Sequence, residues 1–380
     1  MKINNVILSF ISKKKKKLKD KLNFTRNLHT IKNSSFFDEK YYRKTYNIPK
    51  KIDAAEHYLT KGYLCNYNPS PNFDTVLYKN YYKMQIEQNT INPLLLYECN
   101  KEVITIKQEI TFPKGCINIK KEFSINPQNK KRLALFASFS TDGKIHDYVI
   151  FYLKGLLEVV DNIIFIADNP ILEDELKKIG NLVCYCQAER HNEYDFGSYK
   201  RGYEYAKQKG LLENIDDLIF CNDSCVGPIY PFKESFENVK PIKCDFGGFT
   251  ASDIHDFHIQ SYFMVFRKNI IESNLLEKFF SYVKTQPSFE SVVFYYETKL
   301  TPYLEFFGFE SYALFKNYGI LYKNKEKGSV LHPYNFIKKY RMPLIKRKAL
   351  NQSSGYEKSK KKIQKTLYFI KKLQPDLNFE

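Results

Sequence analysis

Tryptophan is absent from the 380 residues, although tyrosine (30) and phenylalanine (31) are abundant. The missing indole together with so much Tyr and Phe is a bias of composition and points to no chemistry. No apolar run reaches the roughly 20 residues that a membrane-spanning helix needs. No Gly-x-Gly-x-x-Gly or Walker loop follows the first strand of the α/β region, and no Gly-x-Ser-x-Gly elbow occurs. Those absences weigh against a dinucleotide oxidoreductase, a P-loop ATPase and a nucleophile-elbow hydrolase. Cysteines number eight, as expected of a reducing compartment. Cys184 and Cys186 alternate in "LVCYCQ", and Cys221 and Cys225 flank "NDS". Cys-x-Cys on a strand puts both thiols on one face, which zinc could use. Buried thiols acting as small apolar groups are the simpler reading.

Acid is scarce only at the ends. The formal charge is +18; residues 1–35 carry ten Lys/Arg against Asp20, and residues 331–380 carry thirteen Lys/Arg against three acids. The middle is therefore close to neutral, at −1. A nucleic-acid groove would place its charge on the folded middle, so no nucleic-acid partner is expected. Basic ends on a neutral body suit an anionic membrane surface, at about 1 kcal/mol per Lys or Arg near it. Solvated lysine-rich ends are the plainer alternative. "MKINNVILSFISKKKKK" has a short apolar stretch, lysines after it and no small-residue cleavage site, so it does not read as a secretory signal. The expected place is the cytoplasm, peripheral on the cytoplasmic face of the inner membrane.

Hydrophobic residues make up 43%, which is globular. Five regions are expected: a basic leader (1–35), a helical accessory module (36–100), a linker (101–130), an α/β domain (131–325) and a basic C-terminal helical tail (326–380). The module partly repeats: "FDEKYY" from Phe37 returns as "FDTVLY" from Phe73, 36 residues on. Two copies are too few for a solenoid. The domain alternates. "RLALFASFS", "NIIFIADN", "NLVCYC" and "DLIFCNDS" read as strands, with helical patterns at "HDYVIFYLKGLLEVV", "LEDELKKIG" and "GSYKRGYEYAKQKG". Such alternation predicts a mostly parallel sheet flanked by helices. Ligands of such sheets sit beyond the carboxyl ends of the strands.

The strands end on polar groups: Ser138, Ser140 and Asp142; Asp168 and Asn169; Arg190, Asn192 and Asp195; Asn222, Asp223 and Ser224. Turns and helix caps use the same residue types, so position alone leaves both readings open. A carboxylate at Asp223 suits Mg²⁺ or Mn²⁺, with substrate phosphates completing the shell.

"LFASFSTDGKIHDYV", "IIFIADNP", "RHNEYDFGSYKRGYEYA", "LIFCNDSCVGPIYPF", "HIQSYFMVFRKNII" and "HPYNFIKKYRMPLIKRKAL" resemble successive blocks of the rhamnan synthesis protein F family. These are bacterial glycosyltransferase-like proteins of surface-polysaccharide assembly, and the likeness covers about residues 131–348. Residue 193 departs from it: the family's Gly before Tyr-Asp-Phe-Gly is Glu193 here. The segment 36–100 resembles a helical module found beside glycosyltransferases of the same pathways. More remotely, the order of motifs is similar to inverting GT-A glycosyltransferases, which implies a GT-A-like α/β fold. That resemblance gives Asp168 to the nucleobase and Asp223 to the metal, although "CNDS" holds one acid where the family element holds two. It gives Glu297 the role of base, with Leu300 and Gly308 at plus three and plus eleven, and Glu290 second. The donor is expected against Ser138, Arg190, Asn192, Asp195, Lys200, Arg201 and Asn222 as well. Asp245, His258 and Gln260 are expected on the acceptor side.

The function implied is transfer of a sugar, rhamnose being one candidate, from a nucleotide-diphosphate donor to a lipid-linked surface glycan. The alternative is a non-catalytic scaffold of the same fold holding polysaccharide enzymes at the membrane.

Overall fold

The computed structural model describes residues 23–71, 73–81, 92–100, 110–124, 128–239, 242–252, 257–286, 289–315, 333–350 and 360–379. The chain divides into two compact units, Met1–Thr105 and Ile106–Glu380.

The first unit is helical: a helix at 23–33, then α1 (Glu39–Tyr46), α2 (Ala54–His57), α3 (Thr75–Tyr81) and α4 (Pro93–Asn100). Asp38 caps α1 by accepting from the Tyr41 N–H at 2.9 Å, and Asp53 caps α2 through Ala55 and Glu56. Such caps satisfy backbone donors that a helix start leaves unpaired. The sequence repeat has a structural counterpart. Asp38 and Asp74 each precede a helix, and the repeated Tyr42 and Tyr78 are both buried. Tyr42, Tyr58, Phe73, Tyr78 and Tyr97 form an aromatic core in place of the missing indoles.

The second unit is a mixed α/β layer structure. Its strands are β1 (Ile119–Glu122), β2 (Arg132–Ser138), β3 (Asn162–Ala167), β4 (Tyr185–Ala188), β5 (Asp217–Asn222), β6 (Phe246–Gly248), β7 (Phe263–Arg267) and β8 (Ser311–Ala313). They form one eight-stranded sheet in the order β8-β6-β7-β5-β2-β3-β4-β1. β2 pairs parallel with β3 and β5, β3 with β4, and β6 with β8. β7 and β1 run the other way. The mostly parallel sheet flanked by helices that the alternation predicts is present. β2 is buried on both faces, from Leu133 to Ala137, because helices cover both sides. On one face, Tyr152 of α5 (Asp147–Leu157) meets Phe136 edge-on. On the other, α6 (Tyr194–Gln208) packs Tyr199 flat against Phe220.

Two expectations shift. The third central strand begins at Tyr185, not in "NLV", because Leu182 and Val183 donate back to Ile179 and finish the preceding helical turn. The segment read as a linker supplies edge strand β1, with Ile119 opposite Ala188. The basic stretch after residue 326 is, over its described residues, part of the second unit. Phe336 and Ile337 of α7 (Pro333–Tyr340), then Leu344, Ile345, Ala349 and Ile370, join the hydrophobic core. The last helix, α8 (Lys360–Leu373), carries Ile370.

Candidate functional site

Strand ends bring the acids together. Ser138 closes β2 with Asp168 on one side and Asp223 on the other. The Asp168 N–H donates to the Ser138 carbonyl at 2.9 Å, and the Asp223 N–H donates to Ala137 at 3.1 Å. Both acids therefore stand on the same carboxyl-end rim of the sheet.

Asp223 accepts at Oδ2 from the Ser138 hydroxyl at 2.7 Å and from the Phe139 N–H at 2.8 Å. Burial raises its pKa; those two donors, Arg347 and His146 work against the rise. Asn222 donates to Oδ2 of Asp195 at 2.7 Å and accepts from the N–H and hydroxyl of Ser224. In "NDS", Ser224 therefore aims Asn222, while Asp223 is aimed from β2 by Ser138 and Phe139. Asp195, on the first turn of α6, is pushed up to about 7 by burial and then by repulsion from Asp223 and Glu297. Three carboxyl groups from three separate chain segments share one electrostatic field.

Glu297 ends a π-helical turn, Val293–Glu297, that leads into α9 (Thr298–Phe306). Helical irregularities of this kind occur often at functional sites. Its Oε1 accepts from the Ser261 N–H at 2.8 Å and from the Ser261 hydroxyl at 3.1 Å. Tyr199 donates to the Ser261 carbonyl at 3.1 Å, which ties this corner to α6. Gly308 at plus eleven adopts φ 88 just past α9, a left-handed helix end that glycine takes without strain. Glu290 lies in the turn Phe289–Val292, and its side chain is outside the described residues.

Asp168, expected at the nucleobase, is engaged by groups of the protein itself. It is 2% exposed, and both oxygens are engaged: Oδ1 by the N–H groups of His191 and Asn192, Oδ2 by the Tyr194 N–H and by Arg190 at 2.7 Å. It holds the loop that precedes α6. That loop turns through Asn192 at φ 60 and Tyr194 at φ 56, whereas residue 193, the family's glycine position, has φ −112. Gly197 in "YDFG" is required, since a Cβ there would lie 2.2 Å from that of Glu193. His191 is buried against Ser198 and held neutral, its pKa pushed far down by burial and nearby cations.

The cations expected at a diphosphate are committed within the protein. Arg190 is tied to Asp168, Arg201 pairs with Glu193 at 2.7 Å, and Lys200 donates to the Val283 carbonyl. Arg190 also lies over the Phe139 ring. Ser140 bonds Asp142, and Asn169 accepts from the Ser140 N–H, so both are turn residues.

Of the residues expected on the acceptor side, Gln260 and His258 lie close to Ser261 in the chain, on the stretch that reaches Glu297. Gln260 accepts from the Thr250 hydroxyl at 2.6 Å, and His258 is 3% exposed on a short hairpin strand. Asp245 is a correction. It precedes β6, which runs in the same direction as β5, so it lies at the opposite, amino-end rim. There it accepts from Asn269 and from the Glu310 N–H.

Sequence reading missed Ser261, which aims Glu297, and Lys346 with Arg347. The only signal for those cations was the tail block of the family pattern. Strand Ile345–Lys346 pairs with Cys225–Val226, directly after "NDS".

The carboxylate oxygens at Asp223 suit a hard divalent ion such as Mg²⁺ or Mn²⁺. Among the described residues no group of three or more His, Cys, Asp or Glu is placed to hold a metal ion. Cys184 and Cys186 have pKa values raised to about 12 by burial, so both are thiols, as the apolar reading has them. An apolar hollow lined by Phe236, Cys244, Val265 and Tyr312 is separate, for no acid of the rim lines it.

Two Vibrio anguillarum sequences named virulence protein VirA, one from strain ATCC 68554 / 775, are each 29% identical over 215 residues. The match spans 56% of this chain and 62% of theirs. Among solved structures, similar folds include a protein described as a nucleotide-diphospho-sugar transferase from Desulfovibrio desulfuricans G20 (13% identity, TM-score 0.33, 64% of this chain and 98% of that one). Another is a cytidylyltransferase from Leptospira borgpetersenii (15%, 0.32, 65% and 96%). The sequence model of rhamnan synthesis protein F matches residues 163–378, which is more than half of the chain and takes in Asp168, Asp195, Asp223, Glu297, Lys346 and Arg347. The chain belongs to the rhamnan synthesis protein F family.

Proposed function

We propose that this chain is a glycosyltransferase of surface-polysaccharide synthesis, moving a hexosyl or deoxyhexosyl unit such as rhamnose from a nucleotide-diphosphate donor to a lipid-linked glycan. The observation that carries the reading is the gathering of three acids at the carboxyl rim of the sheet: Asp223 ends β5, Asp195 accepts from the neighbouring Asn222, and Glu297 accepts from Ser261, just before β7 begins opposite the end of β5. Ligands of open α/β sheets bind there. Glu297 is the base: held by Ser261, it takes the proton of the acceptor hydroxyl as that oxygen attacks the anomeric carbon. Asp223 positions the donor, and it is the residue that would hold Mg²⁺ or Mn²⁺. Such an ion would offset the charge on the departing diphosphate. Asp195 changes its charge near neutrality and so responds to whatever cation or phosphate enters the rim.

The test is sugar transfer from labelled nucleotide sugars to the lipid fraction of the host membrane. Glu297→Gln and Asp223→Asn should each lower turnover by about 10²-fold or more, with unchanged melting temperature. Folded variants that transfer at the full rate would remove these assignments.

The chain works at an anionic membrane surface. No helix of the described residues is long and apolar enough to cross a bilayer. Support comes from α8, whose exposed side carries Lys365, Tyr368 and Lys372, residues that suit a headgroup layer. Changing the exposed Lys365 and Lys372 of α8 to Gln and replacing the lysines of residues 13–17 with Gln should weaken binding to phosphatidylserine vesicles; a folded variant that binds as wild type would contradict this.

A further inference from the structure

Two cations at the rim, Lys346 and Arg347, lean on aromatic rings, and Arg347 also hydrogen-bonds the Tyr148 side chain. Lys346 sits opposite Cys225 in the short antiparallel pair, and the Arg347 N–H donates to the Ser224 carbonyl at 2.8 Å. Their backbone is thereby fastened to the residues that directly follow Asp223. The Arg347 guanidinium lies 4.5 Å from the centre of the Tyr148 ring, and the Lys346 ammonium 4.8 Å from that of Tyr262. The aromatic faces hold both side chains in place. Among the described residues neither cation forms an ion pair, in contrast to Arg190 with Asp168 and Arg201 with Glu193. The positive charge of Arg347 is felt at Asp223.

We propose that Lys346 and Arg347 bind the diphosphate of the donor and carry its charge as it leaves. This rests on the transferase reading above. In the step, the bond between the anomeric carbon and the diphosphate oxygen breaks, and its electron pair stays on that oxygen. The acceptor oxygen forms the new bond, and its proton passes to Glu297. Negative charge thus grows on the diphosphate, where two fixed cations stabilise it without rearranging. A guanidinium suits the task because it can give two parallel hydrogen bonds to phosphate oxygens. This puts a functional contact in the basic C-terminal segment, apart from any attraction to membranes.

The experiment is calorimetry on the full chain with UDP, GDP and dTDP, and with the three nucleosides as phosphate-free controls. Wild type is compared with the double variant Lys346→Gln/Arg347→Gln and with Lys372→Gln on α8. A nucleoside diphosphate that binds wild type should bind the double variant at least about ten-fold more weakly. Its nucleoside should bind both equally, and Lys372→Gln should match wild type. Should the double variant melt early, Arg347→Gln alone, at an exposed position, must show the same direction. Equal affinity for wild type and variant overturns this inference and leaves the donor site standing. Failure of wild type to bind any nucleoside diphosphate overturns the donor reading and this inference with it.

Discussion

Asp195→Asn tests the electrostatics of the rim. In the folded protein the Asp195 carboxyl is raised from 3.8 to about 7, first by burial and then by Asp223 and Glu297. Below about pH 4 it is protonated in both folded and unfolded chains and has no effect on the balance. As pH rises, the unfolded chain loses its proton first, while the folded chain keeps it until near neutrality. The folded state then binds more protons, so stability falls with rising pH between those two values and is flat above them. The full interval corresponds to about 4 kcal/mol, and water at the half-buried carboxyl lowers that to about 2–4 kcal/mol. Asparagine is close to the protonated acid in shape and still accepts from Asn222, yet it does not ionise. Urea unfolding of wild type and variant at about pH 5 and about pH 8 gives the comparison, and the advantage of the variant should grow by about 2 kcal/mol across that range. A difference that stays constant with pH would refute the raised pKa, and with it the claim that the three acids share one field.

Two further variants probe the frame around the site. Asp217 is buried at the amino-end rim, 2.7 Å from both Arg132 and Arg267. Asp217→Ala leaves two cations without their partner and should cost about 3–5 kcal/mol in denaturant unfolding. Ligand affinity per folded molecule should be unchanged, because the donor rim is at the other end of the strands. The Tyr152 hydroxyl is buried with no hydrogen-bond partner among the described residues. Tyr152→Phe removes an unsatisfied group and should raise stability by about 1 kcal/mol, read as a higher melting temperature; a loss of stability would show that the hydroxyl has a partner.

The central sheet was legible because its physics is local. Both faces of β2, β3 and β5 are covered, so these strands read as unbroken apolar runs, and strands of common direction must end on a common rim. That put Asp223 and Asp195 together before any coordinates. Strand direction was not legible where the pattern was mixed. "CDFGGF" says nothing about which way β6 runs, and Asp245 fell at the wrong rim for that reason. A residue type also does not reveal its partners. Arg190, Arg201 and Asp168 have the chemistry of a donor site but spend it on each other's loops. Lys346 and Arg347 lie more than a hundred residues from Asp223 in sequence, inside a run of lysines that resembles a solvated tail. Only strand pairing with Cys225–Val226 shows where they belong. The edge strand β1 escaped notice because only Ile119 of its four residues is buried and Lys120 to Glu122 are exposed, so it shows no apolar run or alternation.

The most direct measurement of the whole account is equilibrium binding of uridine, guanosine and deoxythymidine diphosphate sugars to the purified chain, with and without Mn²⁺. The account predicts saturable binding of at least one of them, weakened in Asp223→Asn. Absence of binding by the folded wild-type protein across the panel, in either condition, would contradict it and favour a scaffold that keeps the fold without the reaction.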